Sequence, residues 1–143
     1  MAESKELFLI DSNVLIYAFE LEKSVKKNNA KNLLKECLLG IKQFVISSQN
    51  FSEFVSVATK KGKLSFEEAK NIVMKMVQFE GFIKINYSAE TILSAIDIAH
   101  EFEMSFWDSL LAATMKENGI FNIYTENTKD FKIPWIKAVN PFK

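Results

Sequence analysis

"ELFLIDSNVLIYAFE" (Glu6–Glu20) holds the feature that decides the fold. Leu7, Phe8, Leu9 and Ile10 form a short apolar run suited to a buried strand, and the "SNVLIYAFE" that follows is apolar enough to be buried as well, with Ser12–Phe19 reading as a short helix. Asp11 lies between the two segments. A carboxylate among buried segments is costly unless it is paired, hydrogen-bonded or bound to a metal. Partners for Asp11 must therefore come from elsewhere in the chain.

The same order, apolar strand and then amphipathic helix, repeats downstream. "FVIS" (Phe44–Ser47) and "FIKI" (Phe82–Ile85) read as strands, "FNIYT" as a fourth and "WIKAV" as a short fifth. Between them Ala30, Leu33, Leu34, Cys37, Leu38 and Ile41 fall at helical spacing. "QNFSEFVSVATKK" reads as a helix ending near Gly62. Ser65 and Glu68 form a capping box for a helix with the stripe Phe66, Ala69, Ile72, Val73, Met76 and Val77. Ser88 opens a helix with Ala89, Ile92, Leu93, Ile96 and Ala99 on one face. "SFWDSLLAATMKEN" is a further helix, ended by Gly119. The pattern predicts one α/β domain over residues 1–143, with a mainly parallel central sheet of about four or five strands flanked by helices. In such sheets the site lies at the carboxyl ends of the strands. Asp11 stands there, at the end of the first strand.

Composition limits the chemistry. The chain has 143 residues, 48% apolar with 13 Phe, so one substantial core can be filled. Net charge is zero, from 18 basic and 18 acidic residues, which argues against a nucleic-acid binder that works by overall charge. Every basic residue is Lys, so no guanidinium fork is available for phosphate. Cys37 and His100 are each alone in their kind, which excludes an internal disulfide and a Cys/His zinc cluster. No apolar run is long enough for a membrane helix, and the charged "MAESKE" start reads as that of a cytoplasmic, soluble protein. No P-loop or G-x-G-x-x-G pattern occurs. A phosphoacceptor reading of Asp11 needs an acidic pair at an earlier strand end, which is missing. His100, on or near the stripe of its helix, reads as structural, and the aromatic and Met residues of the stripes, such as Phe66, Met74 and Met76, read as core. Lys60, Lys61 and Lys63 read as a solvated helix end.

Three further acids follow the pattern of Asp11. Glu53 lies early in the helix after "FVIS", Asp108 in the first turn of "SFWDSLLAATMKEN", and Asp130 just after "FNIYT". Taken singly, each has a structural explanation: Asp11 as an N-cap, Asn50-x-x-Glu53 and Ser105-x-x-Asp108 as capping boxes, all favoured by the helix dipole. Taken together, carboxylates gathered at one sheet edge repel one another, and some would have raised pKa values. A divalent cation removes that cost. With oxygen donors and no His or Cys cluster, the ion would be Mg²⁺ or Mn²⁺.

At this point the chain resembles the PIN domains, and especially the VapC-like toxins of prokaryotic toxin–antitoxin pairs. "LFLIDSNVLIYAFE" is similar to the family's opening motif, with Asp11 as its acid. "SSQNFSEFVSVATKK" is similar to the second, with Glu53, and "SFWDSLLAATMKENG" to the third, with Asp108 and the small pair Ala112 and Ala113. "IYTENTKDF" is similar to the last. The resemblance implies a metal-dependent endoribonuclease in which Asp11, Glu53 and Asp108 hold Mg²⁺ or Mn²⁺, and a metal-activated water attacks phosphorus to leave a 5′-phosphate. Asn13 and Thr125 match supporting polar positions. Where many members carry an acid, this chain has Asn127, so the fourth ligand falls to Glu126 or Asp130. Side-chain alternation after Thr125 aims Asn127 at the site, and Asp130 is expected to fold back toward the acids while Glu126 faces solvent. The resemblance further implies an RNA substrate, a homodimer and a small antitoxin partner. The alternatives are a PIN-type nuclease of RNA processing or decay without an antitoxin, and a catalytically silent scaffold.

Overall fold

The computed structural model of the chain describes residues 6–19, 24–60 and 63–143. Along it run β1 (Leu7–Ile10), α1 (Ser12–Ala18), α2 (Val25–Leu38), β2 (Gln43–Ser47), α3 (Ser48–Thr59), α4 (Phe66–Gln78), β3 (Phe82–Ile85), α5 (Ala89–Phe102), α6 (Phe106–Glu117), β4 (Asn122–Tyr124) and β5 (Lys137–Val139), with a 3₁₀ turn at Thr128–Phe131. The strands form one sheet in the order β3-β2-β1-β4-β5, every pair parallel. The α/β fold is the one read from the alternating segments.

Side-chain alternation divides the core into two layers. Phe8, Ile10, Phe44, Ile46 and Tyr124 pack with α1–α4, while Leu9, Val45 and Ile123 pack with Leu111, Ala112 and Met115 of α6. Buried on both faces, β1 and the middle of β2 (Phe44, Val45 and Ile46) are continuously apolar, as a parallel sheet requires. Register follows: Phe8 pairs with Phe44, and Leu9 with both Val45 and Ile123.

The strand order places the site. From β1 the chain builds outward on one side through β2 to β3, then crosses back to lay β4 on the other side of β1. The carboxyl ends of β1 and β4 flank this reversal, where an open α/β sheet leaves a crevice. Asp11 follows β1 and Thr125 follows β4. The Asp11 backbone N–H bonds the Tyr124 carbonyl at 3.0 Å, so the two strand ends are held side by side.

Helix periods were legible, but some buried faces differ from expectation. Of the α4 stripe, Ala69 and Met76 are buried, whereas Phe66, Met74 and Val77 are exposed. In α5 the buried positions are Thr91 and Ala95, while Leu93 (65% exposed) and Ile96 (52%) face out, as does His100. Packing against α6 turns inward the face centred on Ala95, flanked by Ile92 and Ile98 and meeting Leu110 and Ala113, so that of the expected stripe Ile92 is partly buried while Leu93 and Ile96 are not. Leu38 and Ile41 are likewise exposed at the end of α2. Cys37 is buried, as its stripe implied. The α3 helix ends at Thr59, and the expected stop at Gly62 lies, with Lys61, outside the described residues. Gly119 ends α6 in a left-handed conformation (φ 69°). Its N–H bonds the Lys116 carbonyl and that of Ile120 bonds the Met115 carbonyl, the two bonds of a Schellman cap.

Candidate active site

Asp11 is the N-cap of α1 and almost wholly buried. Oδ1 accepts from the Ser12 backbone N–H at 2.8 Å, and Oδ2 from the Thr125 hydroxyl at 2.8 Å and the Asn13 amide at 3.4 Å. Asn13 also donates to Thr125 Oγ1 (3.2 Å), and its own oxygen accepts from the Glu126 N–H (3.3 Å). The Asn127 N–H donates to Thr125 Oγ1 at 3.1 Å. Asn13, Thr125 and the backbone at 126–127 thus form a polar bracket that fixes the Asp11 carboxyl.

Glu53 reaches the same place from α3. Its Oε2 accepts from the Ser12 hydroxyl (2.9 Å), which also lies 3.5 Å from Asp11 Oδ1. Its Oε1 accepts from Gln49, one helical turn earlier, at 2.9 Å. That Gln49 amide also donates to the Trp107 carbonyl at 2.9 Å, tying α3 to the start of α6. The expected Asn50–Glu53 box is replaced by one between Ser47 and Asn50, so Glu53 lies one turn further in and caps nothing. Asp108, in the first turn of α6, exchanges bonds with Ser105: its carboxylate accepts from the hydroxyl at 2.8 Å and its N–H donates to the same oxygen at 3.2 Å.

Asp11, Glu53, Asp108, Glu126 and Asp130 line one cleft of about 330 Å³, together with Ser12, Asn13 and Asn127, and no Lys is among the described residues that line it. Lys60 and Lys63 lie elsewhere. Burial, opposed by the bonds from Thr125 and Ser12 and reinforced by the charges of Glu53 and Asp108, lifts Asp11 from 3.8 to about 6. Asp108 is also raised, chiefly by burial, with Asp130 and Glu53 adding repulsion and the Ser105 bond opposing it. Asp130 is exposed at the rim, close enough to be felt by Asp108. Glu126 departs from the expectation that it faces solvent: it is half-buried, and its Oε1 pairs with Lys26 at 3.2 Å.

Two residues of this network were missed from sequence, Ser12 and Gln49. The Gln49–Glu53 spacing of one turn was a legible signal for the second. Ser12 as a bridge between two carboxylates had none, because Glu53 is distant in the chain.

The donor set fits a hard cation in kind: the described lining offers carboxylate, amide and hydroxyl oxygens with no His or Cys, an excess of negative charge, and an acid destabilised by burial and by its neighbours. Among the described residues, no group of three or more Asp, Glu, His or Cys is arranged so that it could hold an ion as placed. The carboxylates converge on the cleft without a finished coordination shell.

A parallel α/β sheet with an acid-lined cleft at its topological switch point defines the class of protein. The chain belongs to the PIN domain family, whose model matches residues 8–134. The solved structures it is similar to include a toxin–antitoxin complex from Klebsiella pneumoniae, at 25% identity and TM-score 0.67, covering 94% of this chain and 97% of that one. VapC20 of Mycobacterium tuberculosis, a toxin that cleaves the sarcin–ricin loop, is similar at 17% identity and TM-score 0.65, over 82% of this chain and 88% of that one. VapBC2 of Rickettsia felis, bound to a promoter DNA fragment, is similar at 20% identity and TM-score 0.65, over 94% and 98%. No curated protein sequence matches the chain. No helix among the described residues is long and apolar enough to cross a membrane.

Proposed function

We propose that the chain is a divalent-metal-dependent endoribonuclease, the toxin of a toxin–antitoxin pair, acting as one domain in the cytoplasm. The observation that carries the reading is the cleft on which the carboxylates of Asp11, Glu53, Asp108 and Asp130 converge with no Lys in its described lining, Glu126 alone having a cation, Lys26. Asp11, Glu53 and Asp108 would hold Mg²⁺ or Mn²⁺, with Asp130 contributing from the rim. When bound, such an ion would supply Lewis acidity toward a phosphodiester and lower the pKa of a water it binds. The chain's own groups do the rest. Thr125 and Asn13 orient the Asp11 carboxyl, Ser12 couples it to Glu53, and Gln49 fixes Glu53 and the start of α6 together.

A scaffold whose acids only cap helices accounts for Asp11 and Asp108 but not for Glu53, which caps nothing. The antitoxin partner is supported by the likeness to the Klebsiella toxin–antitoxin complex at 25% identity. A homodimer is proposed from the family resemblance alone. Purified protein free of any antitoxin should cleave RNA with Mg²⁺ or Mn²⁺ and stop when the ion is chelated. Cleavage undiminished in excess chelator overturns the metal mechanism, and absence of cleavage with either ion overturns the nuclease reading.

A further inference from the structure

Beside the acid cleft runs a second groove of about 820 Å³, within the size range of ligand sites. It shares Glu53 and Asp108 with the cleft and is otherwise lined by Ser48, Gln49, Ser52, Ser56, Asn86, Tyr87 and Trp107. Trp107 is 62% exposed and Tyr87 37%. The indole and the Phe106 ring meet in a T-shaped contact at 5.4 Å, and the Trp107 backbone is held by its carbonyl, which accepts from Gln49. Ser48, Ser52 and Ser56 lie one helical turn apart on α3 and are exposed. Asn86 uses its oxygen on the Tyr87 N–H at 2.9 Å, which leaves its amide N–H₂ as a donor.

Resting on the nuclease reading, we propose that this groove seats an unpaired nucleobase of the RNA next to the point of cleavage, stacked on Trp107 and Tyr87. Charge favours a base over the backbone here. The described lining holds two carboxylates and no Lys, so a phosphate would be repelled, whereas a neutral aromatic base would not. An exposed indole and phenol offer the π-faces on which single-stranded bases stack. The serine hydroxyls and the Asn86 amide supply donors and acceptors for a base edge. Bases inside a duplex cannot reach such a platform, which gives the base site a duplex control.

The test uses the full chain, a short single-stranded RNA of mixed sequence and the same RNA in a perfect duplex. Trp107→Ala should raise KM for the single strand about tenfold or more, with a smaller change in kcat, and Trp107→Phe should restore most of the loss. Without added divalent ion, the single strand should quench the tryptophan emission of the wild type and the duplex should not. Trp107→Phe, which keeps only Trp135, should lose the quench. If the wild type cleaves RNA but KM is unchanged in Trp107→Ala and the emission does not respond to RNA, the base site is wrong and the nuclease stands. If the wild type does not cleave but the Trp107-dependent quench is present, the base site stands and the nuclease reading falls. A groove that takes a protein segment instead leaves the emission unmoved by RNA and overturns the proposal.

Discussion

Asp11 shows how a single residue carries two opposed demands. As an N-cap it is stabilised by the Ser12 N–H, and as a buried acid among acids it is destabilised. Its neighbours resolve part of the conflict by hydrogen bonding to it rather than by opposite charge. The rim acids differ in this respect. Glu126 has a cation of its own, Lys26, whereas Asp130 is felt by Asp108 as a repelling negative charge. Asp130→Asn should therefore raise the Mg²⁺ or Mn²⁺ concentration needed for half-maximal cleavage by about tenfold. Glu126→Gln should shift it far less. Metal titrations of the two variants decide the matter, and a larger effect at Glu126 would reverse the assignment.

At the scale of elements, caps aim the site. Ser47 and Asn50 close a buried box at the start of α3, and the helix it begins carries Gln49 and Glu53 to the cleft. Ser65 and Glu68 close a similar box on α4 in solvent. Water can replace the second but not the first. Asn50→Ala should cost about 1–2 kcal/mol, and Ser65→Ala about 1 kcal/mol or less. Thermal unfolding should place the Asn50 variant a few degrees below the Ser65 variant, and the opposite order would mean that the buried box does not anchor α3. The Ser65–Glu68 box was legible because both residues flank a clear stripe. The Ser47–Asn50 box was not, since "SSQNFSE" offers several overlapping pairs and only the strand end at Ser47 selects one.

For the molecule as a whole, the gathered acids set the response to pH. In the unfolded chain Asp11 titrates at its ordinary 3.8, and folding raises this to about 6. Between these values the folded chain holds more protons than the unfolded one, so stability falls as pH rises through the window. A rise of about two pKa units corresponds to at most ~3 kcal/mol, and the raised Asp108 acts in the same direction. The metal-free protein should thus melt at a higher temperature near pH 5 than near pH 7.5. Asp11→Asn should remove most of that difference. A melting temperature that climbs across the same range would contradict the electrostatic account of the cleft.

Local chemistry determined much of this protein. Apolar runs of four or five residues followed by amphipathic helices dictate a parallel α/β sheet, and an acid at the end of β1 falls where such a sheet opens a crevice. The places of Asp11 and Asp108 in the chain could be read for the same reason, since a strand end and a first helical turn are local features, whereas Glu53 lies a turn deeper in α3 than its spacing suggested. Tertiary structure decided what pairing and packing alone can decide. Leu93 and Ile96 face out because α5 meets α6 through Ile92, Ala95 and Ile98, a choice among overlapping helical stripes that periodicity does not encode. Ser12 joins Asp11 to Glu53, and Lys26 claims Glu126, because β1, α2, α3 and the segment after β4 converge in space. Contacts between residues distant in the chain depend on the sheet order, and no spacing in the sequence records them.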